Sequence, residues 1–80
     1  MKENIYLNKL NVGEIATVSG IFAEKEMRQR LEDLGIVEGT QIKCLMKSPL
    51  GDPTAFLIRG SVIALRREDS KNIGVSVRGG

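Results

Sequence analysis

One segment of the chain carries apolar residues at helical spacing. Met27, Leu31 and Leu34 lie at positions i, i+4 and i+7, and oppositely charged pairs four residues apart occupy the other face. Gly35 follows at once, where a left-handed residue closes a helix without steric cost. The pattern predicts an amphipathic helix over residues 24–34 whose three apolar side chains enter the core.

The other apolar residues alternate with polar ones in short runs separated by glycines, which is typical of strands joined by turns. The pair Gly60-Ser61 lies between two such runs and suits a two-residue type II′ hairpin. Five strands are predicted, over residues 14–21, 40–47, 54–59, 62–66 and 73–77. Strands this short favour a mainly β fold, a small and partly closed barrel with the helix inserted between its first two strands.

Because neighbouring side chains of a strand point to opposite faces, each run divides into a buried and an exposed set. The side chains predicted to face the core are Ile42, Cys44, Met46, Phe56, Ile58, Ile63 and Leu65. The same alternation turns Leu45, Leu57 and Val62 outward, and hairpin pairing brings them to one face beside Leu50 of the loop at 48–53. A contiguous exposed apolar patch indicates a partner-binding surface. The alternatives are a face covered by the chain's own helix or terminal segment, and isolated surface leucines without a role.

Basic side chains accompany these apolar positions. Lys43, Lys47 and Arg59, with Arg66 and Arg67 further along, could form a rim that attracts an acidic protein surface or a phosphate backbone. Solvated strand faces carry the same residue types, so an ordinary polar surface is the alternative. Protein is favoured over nucleic acid because no aromatic residues alternate with the charges to stack on bases.

Composition narrows the classes of function. Eighty residues allow one small domain, taken as residues 1–80 with its core over about 10–77. The formal net charge of +2 is far below what binding to a phosphate backbone usually requires. No signal peptide is evident, and no stretch approaches the ~18 apolar residues of a membrane span. The expected location is therefore cytoplasmic, with membrane association only through a partner.

An enzyme is not expected from this set of residues. Histidine is absent and Cys44 is the single cysteine, which excludes imidazole catalysis, an internal disulfide and the usual zinc or iron ligand sets. Cys44 is predicted to be an inert buried thiol. The carboxylates of the predicted helix are spaced to pair with arginines, and iron(II) normally takes some histidine ligands. No catalytic, cofactor-binding or metal-binding residue is therefore assigned.

Three segments together carry a family resemblance. They are the helix and turn of residues 27–39 (MRQRLEDLGIVEG), the loop of residues 48–53 (SPLGDP) and the hairpin of residues 60–66 (GSVIALR). With these segments the chain resembles the ferrous iron transport protein A (FeoA) family over about residues 10–77. The resemblance implies an SH3-like barrel with an inserted helix, so the combined expectation is a small five-stranded SH3-like barrel with one inserted α-helix.

The same resemblance implies a role as a small cytosolic accessory protein of bacterial ferrous iron uptake. Its partner would be the membrane ferrous iron transporter, which carries a cytoplasmic G-protein domain, and the chain would act on it as a non-enzymatic interaction module. Similar domains follow the metal-sensing parts of iron- or manganese-dependent repressors. Because no winged-helix segment precedes the barrel, the free-standing type is expected. A nucleic-acid-binding small barrel, a module of metal-dependent transcription control, a metal-sensing or iron-carrying role, and weak self-association remain open.

Overall fold

The structure, a computed structural model, describes residues 2–78. Within that range it contains six β-strands, two helices and a short 3₁₀ turn at Leu7–Lys9. The helices are α1 (Lys25–Asp33) and the single turn α2 (Arg67–Ser70). The strands are β1 (Lys2–Tyr6), β2 (Ile15–Ile21), β3 (Gln41–Lys47), β4 (Thr54–Ile58), β5 (Ser61–Leu65) and β6 (Ile73–Arg78).

All six strands join one antiparallel sheet in the order β1-β6-β2-β3-β4-β5. The mainly β class with α1 inserted between two strands is confirmed, but the expected number of five strands is wrong by one. The additional strand is β1, which hydrophobic alternation does not predict because its sequence, KENIY, contains few apolar residues. Backbone pairing with β6 holds it at the edge of the sheet, for example with Ile5 opposite Val75.

The hydrophobic core is built from the inner face of the sheet, from α1 and from the 3₁₀ turn. Each fully buried Leu, Ile or Phe side chain contributes ~1.5–3 kcal/mol relative to an exposed one, and a chain this short depends on these few. Apart from Met46, the side chains predicted to face inward on the strands are buried or, for Ile63, packed against the core. The buried apolar residues are Leu7, Leu10, Ala16, Val18, Leu31, Ile36, Ile42, Cys44, Phe56, Ile58, Leu65, Ile73, Val75 and Val77.

α1 ends in a Schellman motif, the glycine-closed helix terminus. Leu34 is the last residue with helical backbone angles, and Gly35 takes a φ of +91°. The N–H of Gly35 donates to the carbonyl oxygen of Glu32 at 2.9 Å, and the N–H of Ile36 donates to that of Leu31 at 3.1 Å. Ile36 and Leu31 both lie in the core. The predicted closure of the helix by glycine is confirmed.

The prediction that Leu34 is a core residue is wrong. Leu31 is buried and Met27 is half-buried against the core, but Leu34 is 41% exposed. The reason is the helix closure, because the chain changes direction at Gly35 and the fully buried position passes to Ile36.

β3 contains a β-bulge at Leu45. Cys44 lies opposite Phe56 but Met46 lies opposite Ala55, so β3 has one residue more than β4 in this interval. The extra residue reverses the alternation, and Met46 is 65% exposed instead of facing the core as predicted. Leu45, at the bulge itself, is half-buried.

The hairpin of β4 and β5 is confirmed, but its turn is Arg59-Gly60 and not the predicted Gly60-Ser61. Ile58 pairs with Ser61, and the two residues between them have φ values of +51° and +83°. Positive φ at both central residues is typical of a type I′ turn, whereas type II′ was expected. Among residues 2–78, Arg59 is the one non-glycine residue with positive φ.

A pair of glycines in the sheet is covered by an aromatic ring. Gly20 of β2 lies opposite Gly74 of β6, and the ring of Phe22 fills the space that two side chains would take. A Cβ on Gly74 would lie 2.8 Å from a ring carbon of Phe22. Tyr6 of β1 packs edge-on against the same ring, with the centroids 6.0 Å apart. The ring therefore compensates for the missing side chains of the glycine pair.

Gly74→Ala is expected to lower the free energy of unfolding by about 1–3 kcal/mol, because the new methyl group would overpack against Phe22. In a Phe22→Ala background the same substitution is expected to cost much less, since the ring is gone. Urea denaturation of the four chains measures both costs, and Ser76→Ala on the same strand is the control. An equal cost in the two backgrounds would contradict the proposed contact.

Candidate functional site

The face of the sheet turned away from the core carries a row of residues that crosses four strands. Lys43 of β3 lies opposite Ile15 of β2 and opposite Leu57 of β4, and Leu57 in turn lies opposite Val62 of β5. Residues directly opposite in antiparallel strands have Cβ atoms only ~4.5–5.5 Å apart, so these side chains are neighbours. Ile15, Leu57 and Val62 are exposed, and Lys43 is half-buried between them. We call these four residues the outer row.

A second set of apolar residues lies beside the outer row. Met46 of β3 is opposite Ala55 of β4, which is opposite Ala64 of β5. Ala55 is two residues from Leu57 and therefore shares its face of the sheet. The bulge in β3 is what brings Met46 to this face. The members of the two sets that form an apolar surface on β3, β4 and β5 are Met46, Ala55, Leu57, Val62 and Ala64.

A shallow groove of about 670 Å³ opens along the outer row, between the loop that follows α1 and the turn of the β4–β5 hairpin. Ile15, Lys43 and Leu57 contribute to it from the outer row. The loop and the start of β3 contribute residues 37–42, and the hairpin turn contributes Arg59 and Gly60.

The wall of the groove formed by the loop is fixed by hydrogen bonds. The hydroxyl group of Thr40 donates to the carbonyl oxygen of Gly35 at 3.0 Å and accepts from the N–H of Val37 at 3.3 Å. The N–H of Gly39 donates to the carbonyl oxygen of Val18 at 2.8 Å. These bonds anchor the loop to the helix end and to β2, so the groove is preformed.

Two cationic side chains line the groove. The stem of Arg59 lies over the end of α1, because a Cβ on Gly35 would be 2.8 Å from the Cδ of Arg59. Among residues 2–78 the salt bridge found is Arg30–Asp69, at 2.9 Å, and neither Lys43 nor Arg59 takes part in one. The positive charges of the groove are therefore available to a partner.

The other predicted site residues lie away from the groove. Leu50 is 94% exposed in the loop between β3 and β4, at the opposite end of β4 from the Arg59-Gly60 turn. Lys47 ends β3 next to that loop, opposite Thr54, and Leu45 is half-buried at the bulge. The predicted residues that the structure brings to the outer row or the groove are Lys43, Leu57, Val62 and Arg59.

Two exposed apolar residues of this surface, Ile15 and Met46, are missing from the candidates obtained from the sequence. Ala16 and Val18 are buried on β2, and the same alternation turns Ile15 outward, so a sequence signal for Ile15 exists. Met46 has no such signal, because its exposure depends on the bulge that reverses the alternation of β3.

Cys44 is a fully buried free thiol at the centre of β3. Burial raises the pKa of the Cys44 thiol, against a smaller opposing effect of the Lys47 charge and with a small further contribution from Glu14. Because the thiolate and not the thiol is the nucleophile, a buried thiol with a raised pKa is poorly suited to covalent chemistry. The side chain acts as a small apolar group of the core.

Within residues 2–78, no three His, Cys, Asp or Glu side chains lie close enough together to bind a metal ion. A chain without histidine and with its one thiol buried does not match the ligand preferences of transition metals, so we assign no step to a bound metal. In the same part of the chain, each helix is too short or too polar to cross a membrane.

The native chain is expected to react with iodoacetamide at least about tenfold more slowly than the same chain in urea, because the thiol is buried and little thiolate forms at neutral pH. As the pH rises, labelling of the native chain is expected to begin at a higher pH than labelling of the unfolded chain, since burial raises the pKa of Cys44. Mass spectrometry of timed samples measures both rates. Equal rates in the two states would show that Cys44 is accessible.

Comparison with known proteins identifies relatives of this fold. The model of the family described as FeoA domain matches residues 5–77. A curated relative from Porphyromonas gingivalis (strain ATCC BAA-308 / W83), an Fe(2+) transport protein A/Fe(2+) transporter FeoB fusion protein, is 31% identical over 71 residues. The match covers 89% of this chain, and the chain spans 8% of the length of that relative.

Two solved structures illustrate the similarity. The NMR structure of a FeoA-like protein from Clostridium acetobutylicum is 39% identical with a TM-score of 0.88, and the match covers 96% of this chain and 90% of that one. The crystal structure of Stenotrophomonas maltophilia FeoA complexed with zinc is 27% identical with a TM-score of 0.78, and the match covers 89% of this chain and 88% of that one. That protein is described as a prokaryotic SH3 domain protein, which confirms the expected SH3-like fold.

Proposed function

The chain belongs to the FeoA domain family, and on this premise we propose that it docks on the cytoplasmic G-protein part of a bacterial ferrous iron transporter and modulates its assembly or nucleotide cycle. The proposal makes the chain an interaction module and assigns it no catalytic step. The observation that carries it is the outer row, in which three exposed apolar side chains and one half-buried lysine lie in register across four strands.

The relative from Porphyromonas gingivalis supports this choice of partner. In that protein an Fe(2+) transport protein A part and the transporter FeoB belong to one polypeptide. Linking two modules in one chain raises the effective concentration of each at the other, which favours a contact between them. For the chain described here, we propose that the same kind of contact forms between separate molecules.

The outer surface of β3, β4 and β5 has the properties of a small docking surface. Specific interfaces combine an apolar centre with a polar or charged rim. Leu57, Val62 and Met46 would supply the apolar centre, and Lys43 and Arg59 would supply charges that orient the partner and raise the association rate. The strands are joined by hydrogen bonds to their neighbours, so little conformational entropy is lost when a partner binds.

An effect on the nucleotide cycle requires only a modest coupling between docking and catalysis. A tenfold change in the rate of GTP hydrolysis corresponds to about 1.4 kcal/mol at the barrier. A docked module that contacts one conformation of the G-protein part better than another shifts that equilibrium by its difference in binding free energy. We therefore expect the chain to change the hydrolysis rate of the transporter without hydrolysing GTP itself.

Leu57→Asp is expected to weaken binding to the purified cytoplasmic part of the transporter by about tenfold or more, because it places a carboxylate at the centre of the apolar surface. The same substitution is expected to abolish any effect of the chain on GTP hydrolysis. Isothermal titration calorimetry measures the affinity, and circular dichroism checks that the variant is folded.

Asn4→Asp is the matched control for this experiment. It changes the charge by the same amount, and residue 4 lies on β1 at the opposite edge of the sheet from β5. Unchanged binding of a folded Leu57→Asp variant would place the docking surface elsewhere on the molecule.

A further inference from the structure

Lys43 lies in an apolar environment on the outer face of the sheet. It lies between Ile15 and Leu57 in the outer row and is half-buried, with buried Ile42 and Cys44 before and after it in the chain. In this setting the aliphatic stem of a lysine packs along apolar neighbours and the ammonium group remains at the surface. A partner that covers the row removes water from this ammonium group. Because an unpaired buried charge is strongly unfavourable, such a partner must supply a negative charge at this point.

Arg59 is the second cation at the groove, and its backbone conformation is disfavoured. Both central positions of a type I′ turn require positive φ, which Asn or Gly adopts more easily than Arg. The arginine at φ +51° therefore makes the fold less stable than asparagine or glycine would at the same position. A strained residue that persists at a surface groove points to a role in binding. Its stem rests over Gly35, which limits the positions that the guanidinium group can take.

The charges that line the groove add up to a positive site. They are Lys43, Arg59 and Glu38, which leaves one net positive charge. Glu38 lies in the loop after α1, whereas Arg59 lies in the hairpin turn on the other side. A carboxylate of a partner is attracted by Lys43 and Arg59 and repelled by Glu38.

We propose that the groove and the outer row bind an acidic, apolar peptide segment of the transporter's cytoplasmic part. One carboxylate of the segment pairs with Lys43, a second pairs with Arg59, and its apolar side chains pack on Ile15, Leu57 and Val62. The inference rests on the proposed function, and it adds the chemical nature of the segment that docks and the two cations that recognise it.

A nucleic acid is a poorer match to this surface. Single-stranded nucleic acids bind through aromatic side chains that stack on bases within a basic groove. Phe56 is buried in the core, and Tyr6 and Phe22 pack on each other near the glycine pair of β2 and β6. None of the three lines this groove.

The test is calorimetric titration of the full chain with the purified cytoplasmic part of the transporter. Affinities are measured at about 50 mM and about 300 mM NaCl, since the higher salt concentration screens exposed charges. Lys43→Glu and Arg59→Glu are each expected to weaken binding by about tenfold or more at low salt, because each leaves a carboxylate of the partner facing a like charge. Both variants are expected to show a smaller loss of affinity between the two salt concentrations than the unmodified chain.

Lys9→Glu is the matched control, because Lys9 is an exposed residue of the 3₁₀ turn, does not line the groove and undergoes the same change of charge. An equal loss of affinity in all three variants would overturn the proposal, since it would indicate a nonspecific effect of net charge. Unchanged affinity of both groove variants would also overturn it while leaving the proposed function intact. Absence of binding by the unmodified chain would overturn the proposed function and this inference together.

Arg59→Asn separates a role in binding from a role in the fold. Asparagine suits the left-handed turn position, so thermal unfolding is expected to occur at the same or a higher temperature than in the unmodified chain. Binding is nevertheless expected to weaken about tenfold, because the charge is lost. If the variant has unchanged or higher stability and binds as well as the unmodified chain, Arg59 does not belong to the binding site.

A titration with a short single-stranded oligonucleotide tests the other class of ligand. Binding that is lost in Lys43→Glu and Arg59→Glu would assign the groove to nucleic acid instead.

Discussion

The pairing of β3 with β4 is the interaction on which the other features of this molecule depend. Its register sets Cys44 opposite Phe56 in the core and leaves Lys43 opposite Leu57 on the outside. Because side chains alternate with a period of two, a slip by one residue would expose the core residues and bury the lysine. The apolar burial that stabilises the fold thus also fixes the surface to which we assign the partner.

The sequence predicts those elements whose local and tertiary preferences agree. α1 combines a helical apolar stripe with a closing glycine, and the hairpin of β4 and β5 combines alternation with a nearby glycine, so the sequence predicts both elements, with the turn placed one residue too late. The sequence does not predict β1, because an edge strand held by backbone pairing needs no apolar pattern. The bulge at Leu45 and the left-handed backbone of Arg59 depend on how the strands pair in three dimensions. No local sequence pattern predicts either of them.

The sequence predicts part of the candidate site, as it predicts part of the fold. Alternation alone identifies Leu57 and Val62 as outward residues, and cross-strand pairing places them side by side. The position of Leu50 beside Leu57 and Val62 is not predicted correctly, because it lies in a loop. Residues of a loop do not alternate between two faces, and their position depends on how the loop leaves the sheet. The groove cannot be predicted from the sequence, since residues 37–42 and residues 59–60, which form its two walls, are far apart in the chain.

The contact between Gly35 and Arg59 joins the end of the helix to the tip of a hairpin. The side chain of one residue occupies the space that a side chain on the other would need, so the two positions are not free to vary independently. Gly35 has a φ of +91°, which residues with a side chain rarely adopt, so the helix end requires a glycine and thereby leaves the space that the stem of Arg59 occupies. The ending of the helix thus provides the support on which the cationic side chain of the hairpin tip rests.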